Sequence, residues 1–229
     1  MALSEDMEYI VPFEKVNKKL SPNIEYDIKI LNYLYYQKII RVHPKSDVKA
    51  FSSDNFPENF NMFKVKYVVN IDFNDSYQEI IASLMNISSL ESSNKEEAIE
   101  IWREISLEEC LSYLEQQMTG VRFNFNCGEK TIAVINDMLN HFSASQIYGI
   151  IYRGVANATK YYQENNINKI HVANMVIGSC QRYAERAILK KWNLVNFRRH
   201  EPESVLSELF FHRVLQIGEL GFTMPPIEL

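Results

Sequence analysis

Residues 168–190 read NKIHVANMVIGSCQRYAERAILK, and this stretch decides the fold. Ile170, Ala173, Ile177, Cys180, Ala184 and Ile188 recur every three or four residues, the period of an amphipathic α-helix and not the alternation of a strand. The pattern predicts a helix over about 168–190. Upstream, Ser143 followed three residues later by Gln146 forms a capping box, which opens a second helix reaching Gln163. Gly149 and Gly154 inside it point to close helix packing. Its Ser143, Ser145 and Gln146 start, of a type that can meet DNA, is read as core.

The helical pattern extends further out on both sides. Asn94, three residues before Glu97, opens a helix running to about Met118, with Gly120 placed to end it. Residues 121–126 alternate as a short extended connection, and 129–141 form another helix. Pro202 introduces the last helix, with Val205, Leu206, Leu209, Phe210, Val214, Leu215 and Ile217 as its buried side and Gly218 or Gly221 at its end. The apolar tail beyond it, with Pro225-Pro226, cannot continue that helix.

The N-terminal part reads differently. Ser21-Pro22 opens a helix to about Gln37, with Ile24, Ile28, Leu31, Leu34 and Tyr35 near helical period. Ile39, Ile40, Arg41 and Val42 make a short strand that stops at His43-Pro44. Residues 52–61 have loop composition, and 63–69 alternate as a strand. This order belongs to the second half of a winged helix and equally to many small α+β units. The fold class expected is therefore mainly α: a bundle of about five helices with a small N-terminal α+β region, winged-helix-like in order. Residues 1–87 form the small region and 94–229 the helical domain. A short helix at 77–87 and a linker at 88–94 lie between them.

Composition sets the class. The 229 residues are 46% hydrophobic and 23% charged, with net charge −5, enough apolar material for a real core and too much for a disordered chain. Gly and Pro number only seven each, which disfavours a turn-rich β fold and a glycine phosphate loop. Three widely spaced cysteines (Cys110, Cys127, Cys180), acidic residues at the N-terminus and no apolar span predict a cytoplasmic protein with reduced thiols and no membrane contact. The bias toward Asn, Ile, Lys, Tyr and Phe suits an AT-rich coding sequence, bacterial or phage.

Charge is unevenly spread. Residues 151–200 hold nine Lys and Arg against two Glu, a balance of +7 that leaves −12 for the rest of a chain at −5. Aromatic residues are interleaved through this stretch. Cations release counterions from phosphates and rings stack on bases, so the mixture suits nucleic acid. Arg182, Arg186 and Lys190 stand at i, i+4 and i+8 on one helix face. Lys191, Arg198 and Arg199 extend that surface, and Lys169 stands at the start of the same helix. The plainer alternative is a solvated face whose C-terminal cations complement the helix dipole. On another helix Glu96, Glu100, Glu104 and Glu108, four residues apart, make a carboxylate row whose self-repulsion a basic surface would relieve.

Catalytic signatures are missing. The histidines (His43, His141, His171, His200, His212) make no zinc pattern, and no Glu-x-x-His pair supports a di-metal bundle, so no metal or cofactor is expected. His171 and His200 could touch phosphate or act as a base, and Cys127 opens a helix, yet no spacing selects a pair. No P-loop, dinucleotide or nucleophile-elbow motif occurs. The sequence thus weighs against an enzyme. It favours a nucleic-acid-binding or regulatory protein acting through about 169–200. The alternative is a protein-interaction module (an immunity, inhibitor or assembly subunit) using the acidic row and the apolar tail, with a second copy among its partners. A metal-dependent nuclease using such residues as Asp72, Asp75 and Glu79 is the second alternative.

Overall fold

Ser143 starts the element on which the larger unit is built. Its hydroxyl accepts the Gln146 N–H at 3.2 Å while the Gln146 amide oxygen accepts the Ser143 N–H at 3.2 Å, completing the capping box. The computed structural model describes residues 8–70, 79, 95–165 and 167–227. The chain divides into two compact units, Met1–Ser88 with Ser204–Leu206, and Ser89–Glu203 with Ser207–Leu229. Apart from Glu79, the expected helix at 77–87, the linker at 88–94 and the Asn94 cap lie outside the described residues.

The first unit is small and mixed. Helix α1 (Ile24–Tyr36) leads into β1 (Ile40–Val42), which pairs antiparallel with β2 (Tyr67–Val69), Ile40 opposite Val69 and Val42 opposite Tyr67. Ile10, Leu31, Ile40, Val65 and Tyr67 form its core. Helix α1 also buries Tyr26 in its first turn. Leu31 is buried as expected, while Ile24 and Ile28 are exposed. The second strand is shorter than the alternation over 63–69 implied. The Asn61 side chain accepts the Phe63 N–H, and the N–H groups of Lys64 and Val65 turn back onto the Asn61 carbonyl, so 62–65 are held in turns. Residues 204–206 belong here because the N–H groups of Val205 and Leu206 donate to the carbonyls of Lys19 and Leu20.

The second unit is a helical bundle of α2 (Lys95–Gly120), α3 (Glu129–Met138), α4 (Ala144–Glu164) and α5 (Lys169–Leu189). Helix α4 packs on both α2 and α5, and α3 packs on α2 and α5. Between Glu109 and Leu114, α2 is buried over most of its circumference. The buried side of α5 comprises Val172, Ala173, Val176, Ile177, Cys180, Ala184 and Ala187. Ile170 and Ile188 of the expected stripe are exposed: at 100° per residue both fall at the edge of a buried sector centred on Cys180.

Helix ends differ from expectation in a consistent way. In α2 the left-handed residue is Arg122 (φ 58°), not Gly120, and the Phe123 N–H reaches the Met118 carbonyl. Lys38 and Lys191 (φ 58° and 52°) close α1 and α5 likewise, with Ile39 donating to Leu34 and Trp192 to Ala187. In place of one long C-terminal helix, α6 (Val205–Glu208) passes into a π turn (Leu209–Val214), and α7 (Leu220–Thr223) follows. Phe210, Phe211 and Phe222 are buried, whereas Leu209 is exposed. The chain breaks at Gln216 and Gly218, both at positive φ.

Gly154 sets the spacing of α4 and α5, since a Cβ there would lie 2.4 Å from the Cys180 Sγ. Gly154→Ala is expected to destabilise the protein by about 1–3 kcal/mol through overpacking, read as a lower denaturant midpoint with an unchanged slope.

Candidate functional site

After α5 the chain turns at Lys191 and runs back as an extended segment along the start of α4. Gln146 Nε2 donates to the Leu194 carbonyl at 3.1 Å, Ser145 Oγ to the Phe197 carbonyl at 2.6 Å, and the Phe197 N–H to the Ser145 carbonyl at 3.2 Å. The Phe197 ring lies on Gly149, where a Cβ would approach it to 2.9 Å. This segment separates the cations that the sequence grouped together.

Arg199 turns inward. Its guanidinium stands 3.3 Å from the carboxylates of Glu109 and Glu203, 3.4 Å from that of Glu219, and 4.3 Å from the Phe222 ring centre. Its side chain is 13% exposed, so it leaves the surface set for which the sequence selected it. Ser207 donates to Glu109 at 3.1 Å, and the His212 Nε2 lies 3.1 Å from Glu203. The terminal nitrogens of Arg199 donate to Glu109 and Glu219, whereas among the described residues its Nε has no acceptor and the facing Glu203 oxygen accepts no hydrogen bond, so the Glu203 pairing is Coulombic. Burial pushes the Glu109 carboxyl above its ordinary range, with the Arg199 charge and the Ser207 hydrogen bond opposing it.

The sequence reading missed Glu109, although a signal was present. Ala98, Trp102, Ile105 and Tyr113 set a buried stripe along α2, and Glu109 stands where that stripe calls for an apolar residue. Ligand atoms of Glu203, His212 and Glu219 lie within 4.8 Å of one another. Arg199 already supplies the positive charge among these carboxylates.

The other cations face solvent. Arg182, Arg186, Lys190, Lys191 and Arg198 are exposed, and none forms an ion pair among the described residues. Lys169, half-buried with its Nζ 5.9 Å from the Phe123 ring centre, lies about 30 Å along α5 from Lys190 and so belongs to a different surface. At the C-terminal end of α5 the contacts form a ladder. Arg153 lies over Tyr183 (4.8 Å), Tyr183 against Trp192 (5.5 Å), and Lys190 over Trp192 (5.8 Å). Beside it is a groove of about 470 Å³ between α4, Tyr183 and the 193–197 segment.

Of the acidic row on α2, Glu96, Glu100 and Glu104 are exposed and Glu108 is half-buried. His43 is held below its ordinary range by burial, with Lys45 adding to the effect, and its Nδ1 accepts the Lys45 N–H. His171 and His200 are exposed, as is Cys127, whereas Cys110 and Cys180 are buried. Asp72 and Asp75 lie outside the described residues. No helix among the described residues is long and apolar enough to cross a membrane. Comparison with family models, with curated proteins and with solved structures finds no match to this chain.

Replacing Arg199 by Met leaves Glu109 and Glu203 facing each other with no guanidinium between them. The expected loss at neutral pH is about 3–5 kcal/mol. The folded state binds a proton at Glu109 at higher pH than the unfolded chain does, so the Glu109 contribution is fully present below its unfolded pKa and is lost as pH rises through the raised folded value. Without Arg199 that value rises further. The deficit of the variant should therefore shrink as pH falls from neutral toward about 4, measured by urea unfolding of both proteins across that range.

Proposed function

We propose that the protein is a non-enzymatic nucleic-acid-binding protein that contacts the phosphate backbone through Arg182, Arg186, Lys190, Lys191 and Arg198. The observation that carries this reading is five exposed cations without carboxylate partners among the described residues, in a chain whose net charge is −5. Like charges gathered on one surface repel, and a polyanion relieves that repulsion while releasing its own counterions.

Anisotropy titration of labelled DNA and RNA at several salt concentrations tests the proposal. Five phosphate contacts predict a log–log salt slope of about −3.5 to −4.5. The triple variant Arg182→Ala, Arg186→Ala, Lys190→Ala should keep its fold and reduce that slope by about 2–3. Absence of binding at low salt sinks the reading. Lys191→Gly separates function from folding: it should raise stability by up to about 1 kcal/mol while weakening binding. The exposed carboxylates of Glu96 and Glu100 support a second reading, a surface for a basic protein partner. Concentration-dependent association indifferent to nucleic acid would favour it.

A further inference from the structure

We infer that the groove beside the cationic ladder receives an unpaired base, so that the protein prefers single strands to duplexes. The inference rests on the nucleic-acid reading above and adds what the strand must present. A flat row of phosphates needs cations alone. This surface instead offers a concave site of about 470 Å³, within the roughly 300–1,000 Å³ of small-molecule pockets.

Three features of the lining select the ligand. Tyr152, Tyr183 and Phe197 supply ring faces, and Tyr152 is 53% exposed although its ring already meets Phe197 at 5.9 Å. The amides of Asn157 and Asn193, exposed at the rim and without hydrogen-bond partners among the described residues, can both donate and accept, as a base edge requires. Arg153 is the one charged residue among the described residues of the lining, and none of the described carboxylates lines the groove. An anionic ligand with an aromatic part meets attraction on every wall. A duplex keeps its bases stacked inside and cannot fill such a site, whereas a single strand can turn one out.

The ladder supplies continuity. Arg153, Tyr183, Trp192 and Lys190 touch in succession, leading from the groove to the cations at the end of α5. A base seated on Tyr152 would leave its strand's phosphates free to run along that ladder.

Single-stranded oligonucleotides (dT and rU), a blunt duplex of the same length and the free mononucleotides are titrated in parallel, following anisotropy and Trp192 fluorescence (Trp102→Phe removes the other tryptophan). The expected result is tighter binding of single strands than of duplex, with Trp192 quenched by the single strands alone. Tyr152→Ala, at an exposed position that leaves the core intact, should weaken single-strand binding roughly 5- to 100-fold while leaving the duplex unchanged. Equal affinity for both forms with no effect of Tyr152→Ala overturns the inference and leaves backbone binding standing. Mononucleotides bound as tightly as oligomers overturn it in favour of a free-nucleotide site. No binding of any polyanion at low salt overturns both readings together.

Discussion

One buried guanidinium holds the second unit in order. Arg199 sits among Glu109 of α2, Glu203 and Glu219, so the extended segment after α5, the C-terminal turns and α2 all converge on a single charge. Charges removed from water are tolerable only when matched. Three carboxylates face one arginine: Glu219 stays largely in water, and burial pushes the Glu109 carboxyl above its ordinary range. The path of the 190–203 segment, and with it the position of Phe197 on Gly149 and the wall of the groove, follows from that anchor.

The anchor also divides labour among the cations. A run of basic residues read along the chain looks like one surface. In three dimensions one of its members neutralises buried acids, another lies about 30 Å away along α5, and five are exposed. Sequence spacing identified the helical row of Arg182, Arg186 and Lys190 because helix geometry is periodic. Glu203 stands four residues beyond Arg199, but its other partners, Glu109 of α2 and Glu219 of the C-terminal turns, lie far away in sequence. That kind of information is tertiary and has no local signature. Glu109 is the exception: an acid on an apolar stripe is a visible anomaly, even where its partner is not.

Helices were legible from their capped starts and apolar faces, as at Ser143 and along 168–190, and their ends much less so. The usual stop signal is glycine, and this chain has seven. Lys38, Arg122 and Lys191 take the left-handed positions instead, so the terminators hide among ordinary surface residues. The C-terminal region misled for a related reason. Its apolar residues fit a helical period, yet a π turn and two positive-φ residues fold them into short pieces around Phe211 and Gly221. In the α+β unit the Asn61 turn shortens a strand that alternation alone would have extended.

The close approach at Gly154 gives the molecule a chemical clock. The Cys180 thiol fills the space a side chain there would need, and burial raises its pKa to about 12, so it is neither accessible nor ionised while α4 and α5 stay together. Cys127 lies exposed on the connection before α3. An alkylating reagent thus meets the Cys127 sulfur at once and the buried sulfurs of Cys110 and Cys180 only when the bundle opens, so with Cys110 replaced by alanine the lag of Cys180 behind Cys127 times the parting of α4 and α5.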